Sequence, residues 1–578
     1  MRKKNVIIRQ VNKKSGVTYL YWGHSTYVPG EKHPKVSKTC IGKINSKGEF
    51  EPNKTFLSLP SQEQLETGLV DEPYYSLYVR GDTDVYENKM YGFVALLETA
   101  AKKTGVWNSL KRVFPNDWQI MLTCTESMMS YPDRALYRPK HFHDVCWHTL
   151  VDKPTEYGIT KALEAVDPAS TERFFGDYQK RVQAKQGSSA VEEMVVMALD
   201  TTSISTYSAM LEAAKYGKNK EGDAMAQINL LMICDNLTGI PLYYRSLPGN
   251  YSDKNVLKTT LAELHAAEFR KGTMLIIDRG FYSLENMKLL LKGNFQFLAG
   301  MPLTAGIYKD AIHEAHEVIR DTENYYTAIR MHCYTKAVSL EAPRRGRGPN
   351  RHDLSIYLYL NPSKQVEEQQ KLAEKFANGK AALEENGSLY RKTGFYGTYY
   401  SVEQDRRGNI LSVSHNVEAQ REKMAECGYF GYLGPAGLSP ERVLKLTRNR
   451  DYIEKDYEAY KSRMRRPKHS LEEHLEGKIF LVYLTTILEM YIRRVMDEYL
   501  LYDKYTFQDL RDEVFNAKWR KPAGKVFSKG TWCDLPLEVQ KLFYIFEVVK
   551  PSLLRDDVPK LVKNELKKRK LKHGLPID

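Results

Sequence analysis

The sequence predicts an α/β protein built on a mixed β-sheet that carries a β-rich insertion. Apolar runs of the kind buried on both faces of a sheet occur at 194–199 and 274–277. A turn sequence at 235–239 separates two further apolar runs and predicts an antiparallel hairpin. The polar, tyrosine-rich composition of 303–428 predicts an insertion into this sheet. We expect β-rich and helical regions before the sheet and a helical region after it.

The chain of 578 residues is long enough for three or four domains at roughly 150 residues each. The predicted parts are a β-rich module (1–70), a helical region (71–190), the first part of the core (191–302), the β-rich insertion (303–428), the second part of the core (429–500) and a helical basic C-terminal region (501–578).

The charge balance favours a polyanionic partner, because the formal net charge is +14 and the pI is near 9.1. Charge alone does not separate nucleic acid from an acidic membrane surface. The most apolar helix, near 479–492, is interrupted by Thr485, Thr486 and Glu489, so we expect no membrane span. Residues 1–9 lack the apolar run of a secretory signal, and the seven cysteines include no Cys-x-x-Cys pair. Both observations fit a reducing cytoplasm.

Local patterns predict elements outside the core. Residues 5–9 and 17–22 flank a turn and predict a hairpin, and 91–105 predicts a helix that ends in a glycine. The histidine-rich stretch 141–148 invites a zinc hypothesis, but its spacing matches no familiar site and an ordinary helix is favoured. The basic run 567–572 predicts a disordered, solvated tail, or one that attracts DNA without specificity.

Three carboxylates stand at informative places. Asp200 and Asp278 each follow an apolar strand, and Glu454 lies on a predicted helix beside an apolar stripe. A single aspartate after a strand is usually a turn or cap residue. Two of them, together with a glutamate at the edge of a buried face, favour coordination of a hard cation.

The helix that carries Glu454 is predicted to span 439–461. Ser439 suits the N-cap and Pro440 suits the first helical position. The apolar stripe consists of Ile453, Tyr457, Tyr460 and Met464. Beside it, Arg450, Glu454 and Lys461 fall within about 40° of one another. Taken alone, this pattern also fits a solvated charged helix.

Close carboxylates repel one another unless cations neutralise them. Two Mg²⁺ ions roughly 3.5–4 Å apart would neutralise them and would activate water or a 3′-hydroxyl for in-line attack on phosphorus.

These residues, in this order, resemble the core of DDE transposases. The stretch from Asp278 to Ser283, Asp-Arg-Gly-Phe-Tyr-Ser, is similar to the Asp-Arg-Gly-Tyr/Phe motif of bacterial insertion-sequence transposases. Arg450, Glu454 and Lys461 match the last three positions of their Tyr-(2)-Arg-(3)-Glu-(6)-Lys signature. The resemblance covers roughly residues 190–500 and implies an RNase H-like core.

The resemblance implies a cut-and-paste DNA transposase. Asp200, Asp278 and Glu454 would be its catalytic and metal-binding residues, with two Mg²⁺ ions for which Mn²⁺ is expected to substitute. Dimers would bind inverted terminal repeats and target DNA in the bacterial cytoplasm, associated with the nucleoid and not with a membrane. The helical region 71–190 would grip the DNA ends.

The predicted DNA contacts come from the signature, from the motif after Asp278 and from a basic loop. They are Arg279, Thr447, Arg450 and Lys461, with Arg344, Arg345 and Arg347 in the loop. A solvated hairpin tip is an equally good interpretation of that loop.

Two departures from the family pattern bear on DNA handling. Thr447 stands where the signature has tyrosine, so it keeps a hydroxyl and loses reach. No tryptophan lies between Trp147 and Trp519, although relatives that cut through a hairpin intermediate can stack a flipped base on a tryptophan of the insertion. Two alternatives remain: a related RNase H-like nuclease, or a domesticated DNA-binding regulator without transposition activity.

Overall fold

The chain divides into two units. The first consists of Met1–Thr99, Arg138–Pro154 and Tyr499–Asp578, and the second of Ala100–Tyr137 and Thr155–Glu498. A computed structural model describes residues 4–13, 15–26, 35–44, 50–59, 64, 67–69, 86–136, 139–150, 153–185, 196–208, 211–217, 225–251, 256–260, 273–344, 347–405, 410–448, 451–464, 471–522 and 530–576.

The strands are β1 (Lys4–Val11), β2 (Thr18–Thr26), β3 (Lys35–Ile44), β4 (Phe50–Pro52), β5 (Tyr86–Met90), β6 (Val196–Ser205), β7 (Gln227–Asp235), β8 (Pro241–Pro248), β9 (Met274–Ile277), β10 (Gln296–Gly300), β11 (Tyr325–Tyr326), β12 (Met331–Arg344), β13 (Arg347–Leu360), β14 (Tyr400–Gln404), β15 (Ile410–His415), β16 (Tyr429–Pro435), β17 (Lys518–Pro522) and β18 (Thr531–Trp532).

The helices are α1 (Lys54–Leu57), α2 (Gly92–Thr104), α3 (Val106–Val113), α4 (Trp118–Ser130), α5 (Lys140–Val145), α6 (Glu156–Glu164), α7 (Pro168–Lys185), α8 (Leu284–Lys292), α9 (Gly306–Ala315), α10 (Pro362–Glu385), α11 (Phe395–Tyr399), α12 (Val417–Ala425), α13 (Pro440–Arg448), α14 (Asp451–Met464), α15 (Glu472–Glu498), α16 (Phe507–Phe515), α17 (Leu537–Ile545) and α18 (Val558–Lys572).

The described residues of the first unit form two antiparallel sheets. One has the order β1-β2-β3-β4, and the other has the order β18-β17-β5. The predicted hairpin of residues 5–9 and 17–22 is confirmed as β1 and β2. The basic run near the C-terminus lies in α18, so the expectation of a disordered tail is wrong for its described residues. Val558 and Val562 are buried, which gives this helix an apolar face to pack.

A mixed sheet organises the second unit and confirms the mixed α/β prediction. Its order is β11-β12-β13-β16-β10-β9-β6-β7-β8. Strands β6, β9 and β10 are parallel, and the remaining pairs are antiparallel. Strands β6, β7 and β9 are almost continuously buried. The predicted hairpin around 235–239 is confirmed as β7 and β8.

Strand β6 is longer than predicted. The sequence predicts a strand that ends just before Asp200, but β6 continues to Ser205 and pairs with β7 as far as Ser205 opposite Gln227. The prediction was wrong because it ended the strand where the apolar run ends. Thr201, Thr202 and Ser203 are instead buried in the sheet.

The predicted insertion shares hydrogen bonds with the core sheet. Strand β16 lies between β10 and β13 and so connects β12 and β13 to the core. The ladder between β13 and β16 covers only Leu354–Leu360 of β13. Beyond it, β12 and β13 continue as a pair to Arg344 opposite Arg347. We call residues 339–344 of β12 and 347–353 of β13 the hairpin arm.

The single helix predicted at 439–461 is described as two helices, α13 and α14. Arg450 lies between them, outside the described residues. The predicted apolar stripe is confirmed, since Ile453, Tyr457, Tyr460 and Met464 are all buried. Helix α14 packs against the long helix α15.

Helix α15 lies deep in the second unit. Residues 479–484 are almost completely buried. Near its start, a Cβ added to Gly477 would lie 2.7 Å from the Cα of Leu163 in α6. A larger residue there would push α6 away from α15. In the described part of the chain, no helix combines the length and apolarity needed to cross a membrane.

The histidine-rich stretch forms α5 and the turn after it. His143 Nδ1 and His148 Nε2 lie 2.9 Å apart, and the ring of His148 stacks on Phe142. Among the described residues, no group of three or more histidine, cysteine, aspartate or glutamate side chains is placed to hold a metal ion. His141 and His143 belong to α5, which agrees with the favoured interpretation of an ordinary helix.

This histidine pair predicts acid sensitivity of the first unit. Burial lowers the pKa of His148 to about 4, and burial together with Lys89 lowers the pKa of His143. The folded state then binds fewer protons than the unfolded state, in which histidine titrates near 6.5. Stability should therefore fall as the pH falls from 6.5 towards 4. We expect a loss of about 2 kcal/mol from His148 between pH 7 and pH 5.

The measurement is the free energy of unfolding of the full chain in urea at pH 7 and at pH 5. Unfolding is monitored through a spectroscopic signal that comes from the first unit. The matched variant is His148→Gln, which cannot take up a proton and should remove most of the pH dependence. An unchanged pH dependence in this variant would contradict the assignment.

Candidate active site

Asp200 lies on β6, and Asp278 comes directly after the neighbouring parallel strand β9. In the pairing of β6 with β9, Leu199 stands opposite Ile277. The residue that follows this pair is therefore Asp200 on β6 and Asp278 directly after β9. Neighbouring strands are about 4.8 Å apart, and residues in register point to the same face. The two residues, 78 positions apart in sequence, therefore follow paired positions of neighbouring strands.

The turn after β9 holds Asp278 in place. Asp278 keeps an extended backbone, and a short 3₁₀ turn follows at Arg279–Phe281. Phe281 is completely buried, and its carbonyl accepts a hydrogen bond from Asn286 Nδ2 at 2.9 Å. Arg279 is exposed. The turn thus buries the aromatic residue of the motif and leaves the arginine accessible.

The backbone of this turn lies close to β10. A Cβ added to Gly300 of β10 would lie 3.1 Å from the main-chain nitrogen of Arg279. A glycine at that position lets β10 pass beneath the turn. The position of Asp278 therefore depends on β10 as well as on β9.

Helix α14 contacts the strand that carries Asp200. The Tyr457 hydroxyl donates a hydrogen bond of 2.5 Å to the main-chain carbonyl of Asp200. Glu454 is exposed and lies three residues before Tyr457, about 4.5 Å along the helix axis. Lys461 is half-buried and lies four residues after Tyr457. The structure therefore brings the strand of Asp200 and the helix of Glu454 into direct contact.

Two further hydrogen bonds join α14 to its neighbours. Asp456 is fully buried and accepts a hydrogen bond of 2.8 Å from the Cys234 thiol of β7. Burial raises the pKa of Asp456 well above its usual value. The Tyr460 hydroxyl donates to the carbonyl of Ile479 in α15 at 3.2 Å.

An ion-pair network closes the end of α14. Glu489 of α15 is 2 % exposed and is paired with Arg463 of α14. It also accepts hydrogen bonds from Arg493, with Nε at 2.8 Å and Nη2 at 2.6 Å. The side chain of Arg463 is 8 % exposed. This network holds α14 against α15 through buried charges.

Thr447 points into the protein. It is 7 % exposed, and its hydroxyl donates to the carbonyls of Val443 and Leu444 at 3.1 Å each. The geometry therefore offers no hydroxyl to DNA at this position. A DNA contact through Thr447 stays a prediction that this placement does not favour.

The remaining predicted DNA contacts are described only in part. In the ladder of β12 and β13, the backbone of Arg344 stands opposite that of Arg347 at the end of the hairpin arm. Arg345 lies outside the described residues, as Arg450 does. The two ends of the basic loop therefore stand at the tip of a β-hairpin.

The oxygen chemistry of the three carboxylates suits a hard divalent cation. The register of β6 and β9 supplies two neighbouring donors. Glu454 stands on the helix that touches Asp200, but the three side chains do not form a closed cluster, since no such group exists among the described residues. The chemistry of the donors thus suits a divalent ion, and the register of β6 and β9 sets two of the three residues next to each other.

Sequence reasoning missed the residues that position α14. It placed Tyr457 in the apolar stripe and gave no role to Asp456, Cys234 or Glu489. A tyrosine within an apolar stripe is a usable signal, because a buried tyrosine hydroxyl usually finds a partner. The identity of that partner, 257 residues away along the chain, is not readable from local sequence.

Comparison with known proteins identifies one family. The sequence model described as "Transposase DDE domain" matches residues 192–488, just over half of the chain. No curated protein matches. One similar solved structure is described as a cryo-EM structure of a piggyBac transposase synaptic complex with hairpin DNA. It is 10% identical, with a TM-score of 0.29, and the match covers 66% of this chain and 58% of that chain. The chain thus spans less than two thirds of that protein.

Proposed function

The chain belongs to the DDE transposase family, and from that premise we propose that it cuts DNA at the ends of a mobile element. It then joins the freed 3′-hydroxyls to target DNA. The observation that carries this proposal is the register of β6 and β9, which sets Asp200 beside Asp278. The contact of α14 with the carbonyl of Asp200 supports Glu454 as the third acidic residue.

The acidic residues hold the metal in this proposal. Enzymes of this family generally use divalent metal ions, and we propose Mg²⁺, with Mn²⁺ as a substitute. Ions bound there supply charge neutralisation and an activated water or 3′-hydroxyl. Asp200 and Asp278 provide two adjacent oxygen donors, and Glu454 provides the third. The exposed Arg279 and the half-buried Lys461 orient DNA phosphates, together with Arg450.

We propose an RNase H-like core, and the order of its elements supports this. A hairpin follows β6, then comes the parallel strand β9 with Asp278 at its end, a further parallel strand and finally α14 with Glu454. This succession supports our proposal of an RNase H-like core interrupted before β16. Binding of inverted repeats, a homodimer in the synaptic complex and a bacterial insertion-sequence origin rest on the family resemblance.

The test is incubation of the protein with the ends of its own element and with Mg²⁺ or Mn²⁺, followed by strand-resolved mapping of the products. We expect cleavage at the ends and joined products with target DNA. Cleavage without joining would favour a related nuclease. Specific binding without cleavage would favour a DNA-binding regulator.

The hairpin arm offers a separate prediction about DNA binding. Replacing Arg344, Arg345 and Arg347 by glutamine should weaken DNA binding and lower its salt dependence. If all three contact phosphates, the slope of log K against log salt should decrease by about 2.7, which is about 0.9 for each contact. The measurement is fluorescence anisotropy with labelled DNA at several salt concentrations.

The matched control removes the same charge from α10 through Lys371→Gln, Lys375→Gln and Lys380→Gln. These lysines lie on a helix of the same insertion, and we expect the salt slope to remain unchanged. Equal slopes for both triple variants would assign no phosphate contact to the tip of the arm.

A further inference from the structure

We propose that Tyr457 is a positioning residue, whose hydroxyl sets the distance between the helix of Glu454 and the strand of Asp200. The inference rests on the proposed function and deepens it, because it concerns how the metal site is assembled. The Tyr457 hydroxyl donates to the main-chain carbonyl of Asp200 at 2.5 Å. The donor and the acceptor thus belong to the two elements that carry proposed metal ligands.

Tyr457 is suited to this role by burial. The residue is 7 % exposed. A buried hydrogen bond between two elements fixes their spacing because an unmade bond would leave the carbonyl without this donor.

The helix geometry links this contact to the acidic residue. Glu454 lies one turn before Tyr457, and Lys461 lies one turn after it, about 4.5 Å and 6 Å along the axis. Both lie within about 60° of Tyr457 around the helix. A shift of α14 away from β6 would therefore move Glu454 and Lys461 together. Asp278 would stay in place, since β9 and β10 hold it.

The same helix supplies a matched contrast. Tyr460 is also buried, and its hydroxyl also donates to a main-chain carbonyl, but that carbonyl belongs to Ile479 of α15. Tyr457→Phe and Tyr460→Phe each remove one hydroxyl from α14 and leave the ring. The first loses the contact with the metal-site strand, and the second loses a contact with a packing helix. A merely structural role would give both variants the same Mn²⁺ affinity and the same rate of end cleavage.

The experiment measures Mn²⁺ binding to the full chain by electron paramagnetic resonance, together with end cleavage and unfolding. We expect Tyr457→Phe to raise the Mn²⁺ concentration for half saturation by roughly tenfold or more, as loss of an outer-shell partner does at other metal sites. End cleavage at low Mg²⁺ should fall by a similar factor and recover at high Mn²⁺. Tyr460→Phe should bind Mn²⁺ as the wild type does.

The results separate the positioning role of Tyr457 from the proposed function of the chain. Equal Mn²⁺ affinity of Tyr457→Phe and the wild type, or equal losses in both tyrosine variants, would overturn the positioning role. A wild type that binds Mn²⁺ but cuts no ends would overturn the proposed function and leave the role of Tyr457 in metal binding standing. A wild type that binds no Mn²⁺ would overturn both.

Discussion

Asp278→Asn is expected to abolish metal-dependent end cleavage while the protein still binds the ends. Asparagine has nearly the shape of aspartate, so the turn formed by Arg279–Phe281 should persist. In the proposed site the substitution removes one of the anionic donors, which would weaken the hold on a divalent ion. Loss of metal assistance worth several kcal/mol corresponds to a decrease of about 10³-fold or more in the rate of cleavage.

The measurement is single-turnover cleavage of labelled ends in Mg²⁺, with binding followed by anisotropy on the same DNA. The control is Asp321→Asn, an exposed aspartate of the second unit, which should cleave at the wild-type rate. Unchanged cleavage by Asp278→Asn would exclude the catalytic role assigned to this residue.

Glu489→Gln is expected to produce the largest loss of stability. Glu489 is 2 % exposed, and it neutralises the buried Arg463 as well as Arg493. The variant leaves Arg463 inside the protein without its anionic partner. Removing one partner of a buried ion pair typically costs about 3–5 kcal/mol.

The measurement is the free energy of unfolding of the second unit, from urea titrations at pH 7. The control is Glu498→Gln, since Glu498 is exposed on the same helix and should change stability by less than about 0.5 kcal/mol. A loss as small as that of the control would show that the buried network contributes little to stability.

Much of the core could be predicted because its strands are bounded by clear local signals. The run at 274–277 is a strand with those bounds because all four residues are apolar and Asp278 ends the run. The same reasoning failed for β6, where Thr201, Thr202 and Ser203 remain in the sheet because β7 supplies hydrogen-bond partners throughout. Pairing with a neighbouring strand, and not local hydrophobicity, determines where that strand ends.

The candidate site was predictable as a set of residue types and only partly as a geometry. Asp200 and Asp278 could be named from their positions after apolar runs, but their adjacency depends on the parallel register of β6 and β9. The docking of α14 depends on Tyr457 and Asp456, whose partners lie more than 200 positions earlier in the chain. Helical periodicity identified the buried face of α14, but it carries no information about what that face touches.

The parallel register of β6 and β9 also restricts where residues can be inserted into the chain or deleted from it. The segment between these strands, 206–273, connects them through the hairpin and a helical stretch, so residues gained or lost in its loops need not disturb either aspartate. One residue gained or lost inside β6 or β9 would turn every later side chain of that strand to the opposite face. A variant with such an insertion or deletion that still forms the sheet should therefore carry Asp200 and Asp278 on opposite faces of it.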